Sequence, residues 1–223
     1  MKRNPKVPQQ FKLLNVEALT KNQGVALNSE RNLVLNGSAG SGKTFLALYK
    51  GFKYMQAQLY SRVVIVRSIV ETRKIGFLPG TEREKIEVYE RPYMDISSEL
   101  YGGDNTAYGT LKSKNKLHFM PTSFIRGTTL QDAVIIVDEC QNMTYHELDS
   151  IITRVGPNSK IIFCGDYYQS DINDTGIKKF FQVLEAMKED FDFVEFTTED
   201  IVRSTFVKSY LTTKYEIHGK EKL

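Results

Sequence analysis

The chain has 223 residues, 41% hydrophobic and 26% charged, which supplies one buried core and excludes a disordered composition. The formal net charge of +3 is too small to predict, by itself, a nucleic-acid or membrane surface. The two cysteines, Cys140 and Cys164, are too few for a disulfide scaffold and lack zinc spacing. Both end apolar runs, so they are expected as buried thiols in a reducing, cytoplasmic setting. Apolar runs are only a few residues long, so no helical membrane span is expected. The basic start MKRNPKVPQQFK has no apolar stretch of the kind a signal peptide needs.

Residues 1–15 read as a loosely held basic arm with Pro5 and Pro8. A short helix is expected over 16–29 and a strand over 32–36. After GSAGSGKT, apolar residues at 45, 48, 52, 55 and 59 make one face of a helix. RVVIVR (62–67) is a second strand. GFLPGTEREK (76–85) is a Gly/Pro turn leading into a charged helical start, and YMDISSEL (93–100) continues as helix. The polar, Gly-rich stretch 101–116 shows no helical period and is expected to be a loop or small excursion. KLHFM (116–120), AVIIV (133–137), KIIFC (160–164) and DFVEF (192–196) are strands. Helices are expected around HELDSIITRV, over 175–187, and in IVRSTFVKSYLTTKY near the end. Strands alternate with helices, and the central strands are continuous apolar runs. That pattern predicts one α/β domain over 16–217, a mostly parallel sheet with helices on both faces, and a short tail at 218–223.

GSAGSGKT, comprising Gly37, Ser38, Ala39, Gly40, Ser41, Gly42, Lys43 and Thr44, completes the phosphate-loop pattern G-x-x-x-x-G-K-[ST]. It follows a strand and opens a helix. Its glycines let backbone amides curl around phosphates, and the helix N-terminus adds a positive dipole end. Lys43 should reach the β and γ phosphates of ATP, and Thr44 should bind Mg²⁺. Asp138, at the end of AVIIV, is placed to hold the same Mg²⁺ through water. Glu139 is then placed to act on the water that attacks the γ phosphate. Gln141 follows. IIFCGDYYQ carries Asp166 and Gln169 and resembles the third motif of superfamily 1 helicases, whose Gln senses the γ phosphate. Gln23, ahead of the first strand, stands where those helicases keep an adenine-reading Gln.

Together GSAGSGKT, VVIVRS, GFLPGTEREK, RPYMD, FIRGTTLQDAVIIVDECQNMT, TRVGPNSKIIFCGDYYQSD and DIVRSTFVKSYL resemble the PhoH family over roughly residues 15–217. The resemblance implies a RecA-like core, ATP hydrolysis and work on single-stranded nucleic acid, RNA rather than DNA, with helicase activity in view. The family often has Ala where Cys140 stands, and Pro where Ser68 follows Arg67. No appended nuclease-like or RNA-binding domain is expected. A nucleotide-gated regulatory module with slow hydrolysis is a second reading. A thymidine-type kinase is a third, but such kinases add a zinc-binding cysteine set.

Hydrolysis by phosphate-loop enzymes usually needs an arginine near the γ phosphate. Arg203 is the first candidate, with Arg126 and Arg154 behind it. Helicases of this type pair two such cores and this chain has room for one. A homo-oligomer, ring or head-to-tail, is therefore expected, with Arg203 completing the neighbour's site. Candidate nucleic-acid contacts are Lys2, Arg3 and Lys6, the loop lysines Lys112, Lys114 and Lys116, and Arg67, Arg73 and Lys74. Phe77 and Tyr108 are candidates for stacking on bases.

Overall fold

A computed structural model describes residues 11–69, 82–166 and 175–218. Lys2, Arg3, Lys6, Arg73, Lys74, Phe77, Gln169, the GFLPG box and residues 219–223 lie outside these.

In chain order the elements are α1 (Lys21–Asn28), β1 (Asn32–Gly37), α2 (Lys43–Gln56), β2 (Arg62–Arg67), α3 (Glu82–Leu100), α4 (Ala107–Ser113), β3 (Leu117–Pro121), β4 (Ala133–Asp138), α5 (Tyr145–Ile152), β5 (Ser159–Gly165), α6 (Thr175–Ala186), β6 (Phe191–Phe196) and α7 (Thr205–His218). Six strands pair in the order β3-β2-β4-β5-β1-β6, all in parallel. All six residues of β4 are buried, as the unbroken apolar run predicts for a strand covered on both faces.

Alternation along each strand divides the core in two. Leu33, Leu35, Val63, Ile65, Val134, Ile136, Ile162 and Cys164 face a layer that includes Leu46 and Phe52 of α2, Tyr93 of α3 and Tyr108 and Leu111 of α4. Val34, Val64, Val66, Ile135, Val137, Ile161 and Phe163 face α5 and α6 through Leu148, Ile151, Phe180 and Leu184. Among the described residues no helix is long and apolar enough to cross a membrane.

Three expectations change. Helix α1 starts only at Lys21, because Thr20 caps it, accepting the Gln23 N–H at 3.3 Å. The stretch 101–116 is not a loop throughout: α4 forms because Ala107, Tyr108 and Leu111 share one buried face among polar neighbours. The end of the basic arm is also held. Phe11 stacks on Tyr101 with ring centres 4.3 Å apart, Leu13 is buried, and the Leu14 N–H donates to the Leu100 carbonyl at 2.8 Å.

At the opposite end of the sheet from the phosphate loop, buried Lys50 of α2 caps the chain leaving α1. Its Nζ donates to the Leu27 carbonyl at 2.9 Å and the Ser29 carbonyl at 2.8 Å. Burial, with Lys160 nearby, pushes the Lys50 ammonium down to about 8 from its ordinary 10.5. The folded chain therefore holds fewer protons here than the unfolded chain between those values, so stability rises with pH across that window. Urea midpoints from pH 8 to 10 should show the native chain gaining on the order of 1–2 kcal/mol relative to Lys50→Met, whose side chain does not titrate.

Candidate functional site

The carboxyl ends of β1, β4 and β5 meet around a cavity of about 710 Å³. Ligands of open parallel sheets bind at this edge. The phosphate loop leaves β1 at Gly37, whose φ of +117° brings it against β6. A Cβ there would stand 1.9 Å from the Phe196 carbonyl oxygen, so only glycine fits. The Ser38 N–H donates to that same carbonyl at 3.0 Å. Helix α2 opens at Lys43 with no side chain capping its first turn, so its free amides face the cavity.

Lys43 Nζ donates to the Gly37 and Ser38 carbonyls at 2.7 and 2.8 Å. Burial pushes its pKa below the ordinary lysine value, and Asp166 is the strongest of the anionic neighbours that oppose the shift.

The loop and the strand-end acid are joined directly. Thr44 Oγ1 donates to Asp138 Oδ1 at 2.8 Å. Tyr93, fully buried in α3, donates its hydroxyl to Asp138 Oδ2, also at 2.8 Å. Burial and the adjacent Glu139 push the Asp138 carboxyl up, against the hydrogen bonds from Thr44 and Tyr93 and the charge of Arg67. Tyr93 is itself pushed far above the ordinary tyrosine range by burial, so it stays a neutral donor. The Arg67 guanidinium lies 3.5 Å from the Tyr93 hydroxyl and over the Tyr89 ring at 5.8 Å.

Glu139 turns the chain with a φ of +53°, which swings its side chain away from the line of the strand. Gln141 Nε2 donates to Glu139 Oε2 at 2.6 Å, and Gln141 Oε1 accepts from the Asp166 N–H at 3.3 Å. Asp166 Oδ2 accepts from the Tyr215 hydroxyl of α7 at 2.6 Å, and that hydroxyl oxygen accepts from the Ala39 N–H at 3.3 Å. A chain of contacts thus runs around the cavity from Glu139 back to the phosphate loop.

Gln23 is a buried strut. Its Nε2 donates to the Ser41 carbonyl at 3.0 Å and its Oε1 accepts from the Leu19 N–H at 2.9 Å. Beside it Val16, Leu19, Phe45, Pro92 and Ile96 form apolar walls, with Glu17 and Glu99 as polar groups.

Arg203 lies against its own phosphate loop, before α7 rather than within it. The Val202 N–H donates to the Gly40 carbonyl at 3.1 Å, and a Cβ on Gly40 would meet Arg203 Cγ at 2.9 Å. Reach to a neighbouring subunit is therefore not needed to bring Arg203 to a nucleotide. Arg126 and Arg154 are exposed and do not line the cavity. Arg154 adjoins Leu130, which precedes β4, at the far end of the sheet.

Several expected nucleic-acid contacts are placed otherwise. Tyr108 is buried and cannot stack on a base. Lys112 pairs with the buried Glu90 at 2.8 Å. Lys116 donates to the Ser61 carbonyl at 3.0 Å, and Arg67 turns inward toward Tyr93. Ser68 donates to Glu147 Oε1 at 3.1 Å. Tyr93 and Tyr215 escape sequence reasoning. The four-residue spacing of Tyr89 and Tyr93 is a sequence signal for a shared helix face; nothing comparable marks Tyr215.

The model of the family described as PhoH-like protein matches residues 15–215. A PhoH-like protein of Bacillus subtilis is 33% identical over 201 residues, covering 88% of this chain and 62% of the relative. A PhoH-like protein of Mycobacterium tuberculosis is 34% identical over 189 residues, covering 82% of this chain and 53% of the relative. The chain thus spans between about half and three-fifths of these curated relatives. Among solved structures, the large terminase of a thermophilic bacteriophage superposes with a TM-score of 0.55 at 14% identity, over 90% of this chain and 50% of that one. That likeness concerns the fold alone.

Proposed function

Because the chain belongs to the PhoH-like protein family, we propose that it is a Mg²⁺-dependent ATPase whose site is the cavity at the carboxyl edge of the sheet. The observation that carries this is the 2.8 Å hydrogen bond from Thr44 to Asp138, which joins the phosphate loop to a buried strand-end carboxylate. A structural Gly-rich turn has no need of a buried acid aimed at its Thr.

The donor set fits the ion. Among the described residues no group of three or more His, Cys, Asp or Glu could hold a metal alone. Thr44 and Asp138 suit a cation that takes its remaining ligands from phosphate oxygens and water, as Mg²⁺ does. When bound, Mg²⁺ supplies positive charge to the β and γ phosphates and draws electrons from the bond to be broken.

The residues of the chain do the rest. Amides of the loop and of the first turn of α2 bind the phosphates. Phosphate oxygens compete with the Gly37 and Ser38 carbonyls for Lys43 Nζ. The apolar walls at Val16, Leu19, Phe45 and Ile96 receive the adenine, beside Gln23. Glu139, held by Gln141, orients the attacking water and accepts its proton. Arg203, in cis, stabilises charge on the γ phosphate. Gln169, outside the described residues, is assigned to sensing the γ phosphate from the GDYYQ motif alone.

We further propose coupling to single-stranded nucleic acid, RNA favoured, on the strength of the family motifs. Membership in the family sets the thymidine-type kinase reading aside. ATP turnover measured with and without single-stranded RNA and single-stranded DNA tests the coupling. Stimulation by RNA supports it, while turnover indifferent to both favours a nucleotide-gated regulatory module.

Two variants test the site. Glu139→Gln should bind a fluorescent ATP analogue within about threefold of the native chain and lose hydrolysis by ~10²-fold or more; normal turnover would remove Glu139 from its assigned role. Lys43→Ala should weaken triphosphate binding at least tenfold in the same titration, since it removes the ammonium facing the β and γ phosphates.

A further inference from the structure

Tyr215 of the closing helix touches two residues that line the cavity, Ala39 and Asp166. Tyr215 is half-buried, while Phe206, Tyr210 and Ile217 of the same helix are exposed. Its hydroxyl spans two parts of the site that are distant in sequence. It accepts from the Ala39 N–H of the phosphate loop at 3.3 Å and donates to Asp166 Oδ2 at 2.6 Å.

Asp166 is a carboxylate that the nucleotide chemistry above does not use, and its position is awkward for that chemistry. It is buried at 4% exposure and lines the same cavity as Lys43. A second negative group, the terminal phosphate of ATP, must approach the Lys43 ammonium. Two anions near one cation in a poorly solvated cavity repel each other. A hydroxyl donated to one of them lowers that repulsion, because it spreads the carboxylate charge into a short hydrogen bond. The structure supplies this donor from α7.

We propose that Tyr215 is a positioning residue that makes α7 part of the terminal-phosphate site. It holds Asp166 in a hydrogen bond, and it anchors the third residue of the phosphate loop. The inference rests on the ATP-binding reading of the cavity and goes beyond it. Its consequence is a difference between ATP and ADP. ADP lacks the γ phosphate, so loss of the hydroxyl should leave ADP binding largely unchanged.

The experiment titrates fluorescent ATP and ADP analogues, in the presence of Mg²⁺, into the native chain, Tyr215→Phe, and Tyr215→Phe combined with Asp166→Asn. Tyr215→Phe should weaken the ATP analogue five- to tenfold and the ADP analogue less than twofold. The double variant removes the charge that needs the donor, so its ATP-to-ADP affinity ratio should return to within twofold of native. Hydrogen exchange across 205–218 should differ between the ATP-analogue and ADP complexes of the native chain, and this difference should vanish in Tyr215→Phe. An unchanged affinity ratio in Tyr215→Phe, a tightening of ATP, or equal losses for both nucleotides overturns the proposal. So does a double variant no better than the single one, since a loosened fold predicts that result. If the native chain binds neither analogue, the ATP reading itself falls, and this inference with it.

Discussion

Everything around the cavity depends on one buried carboxylate. Asp138 is 4% exposed at the end of a strand with no exposed residue. A carboxylate there is tolerated only if its oxygens are hydrogen-bonded. Thr44 supplies one donor and Tyr93 the other. Those two donors come from α2 and α3, which must therefore stand in fixed register with β4. The same requirement orients the phosphate loop, since Thr44 lies one residue after Lys43. Helix α3 runs through Pro92 and sets Tyr93 against Asp138.

A second set of contacts closes the other side. Gln141 joins Glu139 to the backbone after β5, and Tyr215 joins Asp166 to the phosphate loop. Gly165 is part of this joint: a Cβ there would lie 2.5 Å from Cys140 Sγ and 2.9 Å from Gln141 Oε1. Strand β5 lies between β4 and β1, so a change at its end is felt by the acids on one side and the loop on the other. Gln141, the least explained of the residues after Asp138 in the sequence, is the member that makes this joint.

The elements near the site were legible where local chemistry decides them. The runs NLVLN, RVVIVR and AVIIV form strands because both faces of each are apolar. The loop GSAGSGKT was legible because positive φ and close backbone approach leave few residue choices. Less was legible between 101 and 116, where three buried residues in a polar stretch make α4 without a strong periodic signal. Charge misled as well. Lys112 looks like a free cation in the sequence, but it pairs with Glu90, twenty-two positions earlier. Tyr108 looks like a stacking platform, but it fills the core beneath α4.

The sequence alone determined the parallel α/β architecture, the phosphate loop and the acids Asp138 and Glu139. Each of these is specified by residues adjacent in the chain, through steric limits on the backbone and the period of apolar side chains. Tertiary structure decided the partners. It set Tyr93 on Asp138, Tyr215 between Ala39 and Asp166, and Arg203 beside its own Gly40. These contacts join residues 45 to 176 positions apart. Hydrogen bonds act over about 3 Å, so only the packing of helices on the sheet could determine which distant groups come within reach.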